Sequence, residues 1–196
     1  MYLAINDDKI PGTVIYKKDM DGSTGLEFLK KIFFLKEGIP LSLVRDISGL
    51  DSSTLQNWVK RGWIANTVNK LYPINTFARI IIINMLRDTM QLSRISFILS
   101  YINGSVNDRA DDIIPESKLY DYICKITDRL LDDDAFCDDA KLHELIESLI
   151  DASDLNPNIS DAKERLVSAL EVIIIARYAA IIREHSDELF EKLENK

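Results

Sequence analysis

Cysteine, histidine and glycine are scarce in this 196-residue chain, and their scarcity excludes several classes of protein. Two cysteines, Cys124 and Cys137, are too few for the disulfide framework of a small secreted domain. The first ten residues contain no apolar run behind a basic start, so we expect no secretory leader and a cytoplasmic location. The most apolar stretches, Ile74–Met85 and Leu166–Ile182, are shorter than a membrane span or carry charges. We interpret both as buried helices and expect no membrane contact.

The side chains that usually carry catalysis or bind metals form no recognisable pattern. The seven glycines form no phosphate-binding loop and no nucleophile elbow, and neither His143 nor His185 has a nearby partner pattern. A zinc site made of Cys124, Cys137 and His143 would be incomplete, and no C-x-x-C pair supports it. We therefore expect a protein that is not an enzyme and that has no cofactor and no metal ion.

An acidic run at Asp132–Asp139 has the composition of a calcium-binding loop but not its pattern. It lacks the glycine at the sixth position of an EF-hand loop, and His143 stands where the bidentate glutamate is required. Asp138 and Asp139 have a simpler use, because carboxylates cap a helix N-terminus and interact favourably with its dipole. The run therefore predicts the start of a helix and no calcium site.

Charge is distributed unevenly along the chain. The net charge of −8 argues against a general nucleic-acid coat. Residues 1–107 nevertheless hold 13 basic and 9 acidic side chains, whereas residues 108–196 hold 11 and 23. Within residues 41–80 the balance is five basic against two acidic. This asymmetry indicates that any nucleic-acid contact is made by the N-terminal half.

Apolar periodicity predicts an all-α protein with three parts. Residues 1–39 form a mixed segment and one helix, Thr24–Lys36. Residues 40–104 form a helix-turn-helix head, which includes a helix after Pro73 that is apolar on nearly every face and therefore central to the core. Residues 105–196 form an acidic helical lobe for dimerisation or for binding a ligand or a partner.

The acidic lobe is predicted to contain helices at Glu116–Leu131, at Asp139–Ala152 and from Ser160 to about Leu193. The last of these shows no sustained heptad, so we expect compact helix packing rather than a long coiled coil. Four of its isoleucines are predicted either to be buried within the chain or to form a dimer surface: Ile173, Ile174, Ile181 and Ile182.

Two short helical patterns meet at the corner Gly49-Leu50-Asp51. Asp51 or Ser52 can cap the second helix, and Gly62 stands where a helix usually ends. The inward residues of the two helices are Val44 and Ile47 in the first, and Leu55, Trp58 and Val59 in the second. The pattern is that of a helix-turn-helix, whose second helix reads DNA in many proteins.

The second helix carries short polar side chains at its start and a basic pair at its end. Asparagine and glutamine can make two hydrogen bonds to adenine, and basic side chains hold phosphates. The alternative is that any exposed helix carries such residues. Trp58 and Trp63 are expected in the core rather than as stacking platforms for bases. The candidate DNA-binding residues are Ser52, Ser53, Thr54, Gln56, Asn57, Lys60, Arg61, Lys70 and Tyr72.

At these residues the chain resembles the head of MerR-like winged helix-turn-helix regulators. The shared pattern is Val44-x-x-Ile47-x-Gly49-Leu50-x-x-x-Thr54-Leu55-x-x-Trp58-x-x-x-Gly62-Trp63-Ile64, and it continues through Lys70-x-Tyr72 and Leu92-Ser93 to about Tyr101. The resemblance implies at most a small β-hairpin wing at Ala65–Leu71 and a C-terminal lobe that dimerises or binds a ligand. One departure is Gln56, which stands where the pattern usually has an arginine that contacts phosphate.

A narrower resemblance is to an uncharacterised bacterial family, domain of unknown function 1836. It is carried by the run from Leu55 to Trp63, the isoleucine-rich segment after Tyr72 and the run from Ser100 to Gly104. This family has no established activity, so its resemblance implies a relationship and no function.

Two functional hypotheses follow. The first is a sequence-specific, DNA-binding transcriptional regulator of the MerR-like type, a homodimer that places Ser52–Arg61 in the major groove of double-stranded DNA. The second is a protein-interaction adaptor that keeps the helix-turn-helix shape without binding DNA and docks a protein partner through its acidic C-terminal lobe. Gln56 and the net charge favour the second hypothesis, and the basic head favours the first.

Overall fold

Helices dominate the computed structural model of the protein, which describes residues 8–67, 69–133 and 139–195. The predicted all-α fold is confirmed, and the β-structure of the described part of the chain is one two-stranded sheet and an isolated bridge between Lys9 and Tyr16. The elements are α1 (Gly25–Ile32), β1 (Ile39–Pro40), α2 (Leu41–Ser48), α3 (Ser52–Lys60), β2 (Leu71–Tyr72), α4 (Ile74–Leu86), α5 (Leu92–Asn103), α6 (Glu116–Asp133), α7 (Asp139–Leu149) and α8 (Ala162–Glu194). Short 3-10 helices add Lys17–Met20 and Ala152–Asp154.

The two strands pair antiparallel, but the first lies before α2 rather than within Ala65–Leu71. Ile39 lies opposite Tyr72, and Pro40 lies opposite Leu71. The segment before β2 turns through two left-handed residues, Asn69 and Lys70, and so gives no regular extended run for a hairpin of its own. The sheet instead joins the chain entering α2 to the chain entering α4.

Helix α1 ends at Ile32, earlier than the predicted Lys36. Leu35 adopts a left-handed backbone conformation with φ of 55°, which a right-handed helix cannot contain. Phe34 and Leu35 are therefore turned outward, with exposed fractions of 72% and 91%. The apolar run that predicted a longer helix is partly a solvent-facing turn.

Helix α4 is the centre of the core, as its all-round apolar pattern predicts. Each of its residues except Ile74, Asn75 and Asn84 is buried. It contacts α2 and α5 within the head and α6 and α8 beyond it. Burial on every side explains why this segment has no polar face wide enough to meet water.

The three predicted parts of the chain share one buried core in the described residues. Helix α1 packs against α6, and the backbone N–H of Leu26 donates to Asp121 of α6 at 2.8 Å. Helix α8 sends Ile173, Ile174 and Ile181 into this core, whereas Ile182 is exposed. The head therefore rests directly on the acidic lobe.

The predictions for the acidic run and for Cys137 fall largely outside the described part. Most of the acidic run, including Asp138 and Cys137, lies at 134–138, and nothing is described there.

None of the described helices combines the length and the apolar content that a membrane span needs.

Candidate nucleic-acid interface

Asp51 caps helix α3. Its carboxylate accepts hydrogen bonds from the Ser53 hydroxyl at 2.6 Å, the Thr54 backbone N–H at 2.7 Å and the Thr54 hydroxyl at 3.1 Å. The Ser53 hydroxyl and the Thr54 amide stabilise the charged form and lower the pKa of Asp51 to about 2. The start of the candidate recognition helix thus carries a fixed negative charge, and two of its predicted DNA-binding hydroxyls are bonded to it.

The corner before α3 is made by Gly49, which ends α2. Its φ of 71° places it in the left-handed region, and its N–H donates to the Arg45 carbonyl at 2.8 Å. Gly62 has a similar φ of 69° directly after α3, where the sequence predicts the helix to stop. These two glycines fix where the candidate recognition helix begins and ends.

The inward face of α3 is anchored by two buried side chains, Leu55 and Trp58. Trp58 therefore belongs to the core, as predicted. Trp63 is partly buried against the same core, and the Arg61 guanidinium lies over its ring, 5.2 Å from the centroid. Neither tryptophan presents a free face suited to stacking on a base.

The outward face of α3 exposes Gln56, Asn57, Lys60 and Arg61. Ser53 is also exposed, whereas Ser52 and Thr54 are half-buried. Gln56, Asn57 and Lys60 lie on the side of α3 opposite to Leu55 and Trp58, and Arg61 follows as the C-cap residue at the end of the helix. Four of the nine predicted site residues thus share one solvent-facing surface at the end of the helix.

A shallow groove of about 430 Å³ lies beside the end of α3. It is lined by Thr54, Asn57, Trp58, Arg61, Trp63, Arg87 and Leu92. Arg87 directly follows α4 and is 26 positions from Arg61 along the chain, so no local pattern in the sequence relates the two. The groove adds a second arginine to the basic end of α3.

The two remaining candidates, Lys70 and Tyr72, are placed by the sheet rather than by a separate wing. Lys70 is exposed in its left-handed turn. Tyr72 is paired with Ile39 and only 6% exposed, and burial raises its pKa. Lys70 is free to approach a phosphate, whereas Tyr72 offers little surface for one.

An ion cluster ties the end of α3 to the acidic lobe. The Arg79 Nε of α4 donates to the Trp63 carbonyl at 2.6 Å, and its Nη1 lies 3.4 Å from the Glu116 carboxylate at the start of α6. Both side chains are almost fully buried, with exposed fractions of 2% and 1%. Arg109 contacts the other oxygen of Glu116 and also pairs with Asp112 at 2.9 Å. Burial lowers the pKa of Arg79, and the charge of Glu116 opposes that shift.

The side chains considered for catalysis or metal binding are dispersed in the described part of the chain. Cys124 is buried, and burial raises its pKa to about 12, so the thiol is kept protonated. His143 lies on α7 and contacts Glu171 of α8 at 2.7 Å. Among the described residues, no cluster of three or more His, Cys, Asp and Glu side chains is placed to hold a metal ion.

The helix-turn-helix, the two strands and the ion cluster lie within one region that also matches a known family. Residues 33–123 match the family described as Domain of unknown function (DUF1836). The matched segment is 91 of the 196 residues and runs from the end of α1 into the middle of α6. It contains every candidate DNA-binding residue and the whole Arg79–Glu116 cluster.

The match supports the narrower of the two family resemblances, which the runs around Leu55–Trp63 and Ser100–Gly104 indicated. It extends beyond the predicted head at both ends, by seven residues before Pro40 and nineteen after Gly104. The chain matches no curated protein and no solved structure with which it was compared. The MerR-like resemblance stays a prediction.

Proposed function

We propose that this protein is a cytoplasmic, sequence-specific DNA-binding transcriptional regulator of the MerR-like type. In this proposal α3 enters the major groove of double-stranded DNA, and the protein acts as a homodimer on paired half-sites. The acidic lobe carries the negative charge of residues 108–196 and faces away from the duplex.

The observation that carries the proposal is the outward surface of α3. Gln56 and Asn57 are exposed on a helix that Leu55 and Trp58 hold rigidly against the core. Their amide groups can pair with adenine through two hydrogen bonds, which is the kind of contact that selects a sequence. A rigid helix is suited to this because a base contact depends on placement to within a fraction of an ångström.

Phosphate contacts come from the basic residues around the same surface. Lys60 and Arg61 lie three and four positions after Asn57, and Arg87 joins Arg61 in the groove beside the helix. Such contacts carry no sequence information, but they fix the register of the helix on the duplex. Arg87 adds a candidate phosphate contact that lies outside the helix-turn-helix pattern of the sequence.

A second candidate function is favoured by Asp51. Its carboxylate is held in the charged form at the start of α3, where a DNA-reading helix usually approaches the bases. A negative charge there repels phosphate, and the Ser53 and Thr54 hydroxyls are committed to it. On this alternative the helix-turn-helix is a packing unit, and the protein is an adaptor that docks a partner through its acidic lobe.

The experiment that separates the two functions is selection from a pool of random DNA duplexes, followed by sequencing, at two salt concentrations. A regulator enriches a palindromic or paired-half-site motif, and its affinity falls steeply as the salt concentration rises. Failure to enrich any motif, together with binding that does not respond to salt, contradicts the proposal and favours the adaptor.

A charge-reversal variant tests the assignment of α3. Lys60→Glu with Arg61→Glu should abolish binding to the selected duplex, while the thermal midpoint changes little, because both side chains are exposed. The matched control is Lys141→Glu with Lys163→Glu, which changes the net charge equally but lies on the acidic lobe, where both lysines are exposed. If the two variants bind DNA equally well, α3 is not the recognition helix.

A further inference from the structure

The solvent side of α8 carries an unusual share of exposed apolar surface. Half of the large apolar side chains that stand exposed in the described part of the chain lie on this one helix, with exposed fractions between 44% and 66%. They are Val172, Ile175, Ile182, Leu189, Phe190 and Leu193. These residues are additional to Ile173, Ile174 and Ile181, which the same helix already contributes to the core.

The exposed residues form one straight stripe. Positions 172, 175, 179, 182, 186, 189 and 193 alternate in steps of three and four, which keeps them on one face of a helix. Ala179 and Ser186 fill the steps between the larger side chains and are themselves exposed. The sequence alone hides this heptad, because the buried isoleucines at neighbouring positions make α8 apolar on several sides. We call these seven residues together with Phe190 the α8 stripe.

The central part of the α8 stripe is free of charge. From Ser168 to Ile182 the outward positions are Ser168, Val172, Ile175, Ala179 and Ile182, although residues 108–196 hold 34 charged side chains. A helix that only met water in such an acidic lobe would be expected to carry charge there. Depletion of charge at the centre with charge at the edges is typical of a protein–protein interface.

The exposed apolar area fits a dimer. The exposed fractions of the six large side chains together equal about three fully exposed residues of this size, or roughly 500 Å² per copy. Complete burial of this area in an interface that is about 65% apolar would give an interface of roughly 800 Å² per copy. That is the size of a standard stable interface.

We propose that the α8 stripe is the homodimer interface and that its occupant is the α8 stripe of a second copy. The two helices pack antiparallel about a twofold axis near Ile182, so that Leu189 and Leu193 of each copy cover Ile175 and Val172 of the other. This arrangement covers the end of α8, where every residue from Ser186 to Asn195 is exposed in the single chain. Arg183, beside the axis, is held by the Asp88 carbonyl at 2.7 Å and by Asp187 at 3.9 Å, which offsets its repulsion from its twin. The inference deepens the dimer of the proposed function but does not depend on DNA binding.

Sedimentation equilibrium of the full chain without DNA tests the interface. The parent protein should be a dimer at micromolar concentration, and Val172→Glu with Ile175→Glu should weaken dimerisation by more than about a hundredfold, because carboxylates would be buried without partners. The matched control is Phe34→Glu with Leu35→Glu, which adds the same charge at an exposed apolar pair elsewhere and should leave the dimer intact. A monomeric parent, or equal loss in both variants, overturns the proposal.

Disulfide trapping tests the twofold axis with a change that leaves the core untouched. Ile182→Cys should form a covalent dimer under mild oxidation, because the residue lies opposite its own copy. The control is Leu35→Cys, at a position that is more exposed than Ile182. It should cross-link no more than the parent protein. The native cysteines are present in the parent and in both variants, so they contribute equally to all three measurements. Equal cross-linking of the two variants would place the axis elsewhere and overturn the antiparallel arrangement. Both measurements are made without DNA, so failure of this interface is distinguishable from failure of DNA recognition.

Discussion

Asp51 stabilises the fold of the head and also bears on its proposed DNA binding. As the N-cap of α3 it satisfies an otherwise unpaired backbone N–H, and its charge interacts favourably with the helix dipole. The same charge opposes the approach of phosphate. Stability and DNA affinity therefore make opposite demands on this carboxylate.

Replacing Asp51 separates the two demands. Asp51→Asn keeps an oxygen that can accept the Thr54 N–H, so the thermal midpoint at neutral pH should fall by no more than a few degrees. Removing the charge should strengthen binding to the selected duplex, which titration at fixed salt measures. Asp51→Ala, which loses the cap as well, is the control for helix stability. Unchanged or weaker DNA binding by the Asn variant would count against a major-groove position for the start of α3.

The pH dependence of stability follows from the lowered pKa of Asp51. The folded-state pKa of about 2 lies below the unfolded value of 3.8, so the stabilisation is complete above pH 3.8 and is lost as the pH falls towards 2. Thermal unfolding of the parent and Asp51→Asn between pH 6 and pH 2 measures this. The difference between the two proteins should shrink across the window from about pH 4 to about pH 2. A constant difference would mean that the carboxylate does not cap the helix through its charged form.

Arg79 and Glu116 form the other decisive contact at this scale, and neither the pairing nor its burial could be predicted from the sequence. The two residues are 37 positions apart, and no local pattern joins a basic residue in an apolar helix to an acidic residue at the start of another.

Glu116→Ala should lower the free energy of unfolding by about 3–5 kcal/mol, because it leaves the guanidinium buried with a weaker set of partners. Urea denaturation measures this. The double variant Arg79→Met with Glu116→Leu should be destabilised by less than Glu116→Ala, and a larger loss would mean that the ion pair itself is a main source of stability.

At the scale of elements, the helix-turn-helix depends on the two glycines that bound α3. Both have φ near 70°, but their surroundings differ. A Cβ on Gly49 would lie 2.6 Å from Val14 Cγ1, whereas a Cβ on Gly62 would meet open space. The Val14 main chain is held by its N–H, which donates to the Ile47 carbonyl at 2.9 Å, so relief of the crowding requires rotation of the Val14 side chain.

This difference predicts a ranking of two matched variants. Gly62→Ala should cost about 1–2 kcal/mol, which is the strain of a left-handed alanine. Gly49→Ala should cost about 1–3 kcal/mol more, because the side chain is also crowded. Adding Val14→Ala to Gly49→Ala should recover the part of the lost stability that is due to crowding. It should not recover the part that is due to backbone strain. Denaturant unfolding of the three proteins checks the order, and equal losses for the two glycines would contradict it.

The same elements mark the limit of what local patterns predict. The corner at Gly49, the cap at Asp51 and the central burial of α4 follow from local patterns, because capping and amphipathicity act within a few residues. The pairing of β1 with β2 does not, since two-residue strands are too short to show an alternation. The α8 stripe becomes visible only once the side of α8 that faces the core is known. The place of Arg87 in the candidate interface could not be predicted either, because it depends on packing between elements that are distant in the sequence.

At the scale of the whole molecule, the opposite charges of the two halves favour one orientation of the protein in the proposed DNA complex. The basic side chains at the end of α3 are exposed on the head, whereas residues 108–196 carry an excess of twelve acidic side chains. Affinity should therefore come from a small number of phosphate contacts near α3. Because each contact releases counterions, the logarithm of the affinity should fall linearly with the logarithm of the salt concentration.

The slope of the logarithm of the affinity against the logarithm of the salt concentration also shows how many heads contact the DNA. Neutralising one phosphate-contacting side chain lowers the slope by about 1, so Lys60→Ala with Arg61→Ala should lower it by about 2 for one bound head and by about 4 for a dimer. Titrations of the selected duplex between 50 and 200 mM salt give the slopes. Lys141→Ala with Lys163→Ala, on the acidic lobe, should leave the slope unchanged. A decrease near 2 in a protein that sediments as a dimer would show that only one head contacts the duplex, and a half-site would then bind as tightly as the full operator. A decrease near 4 requires both heads to be seated at once, which fixes the half-site spacing to the distance between the two α3 helices across the α8 stripe.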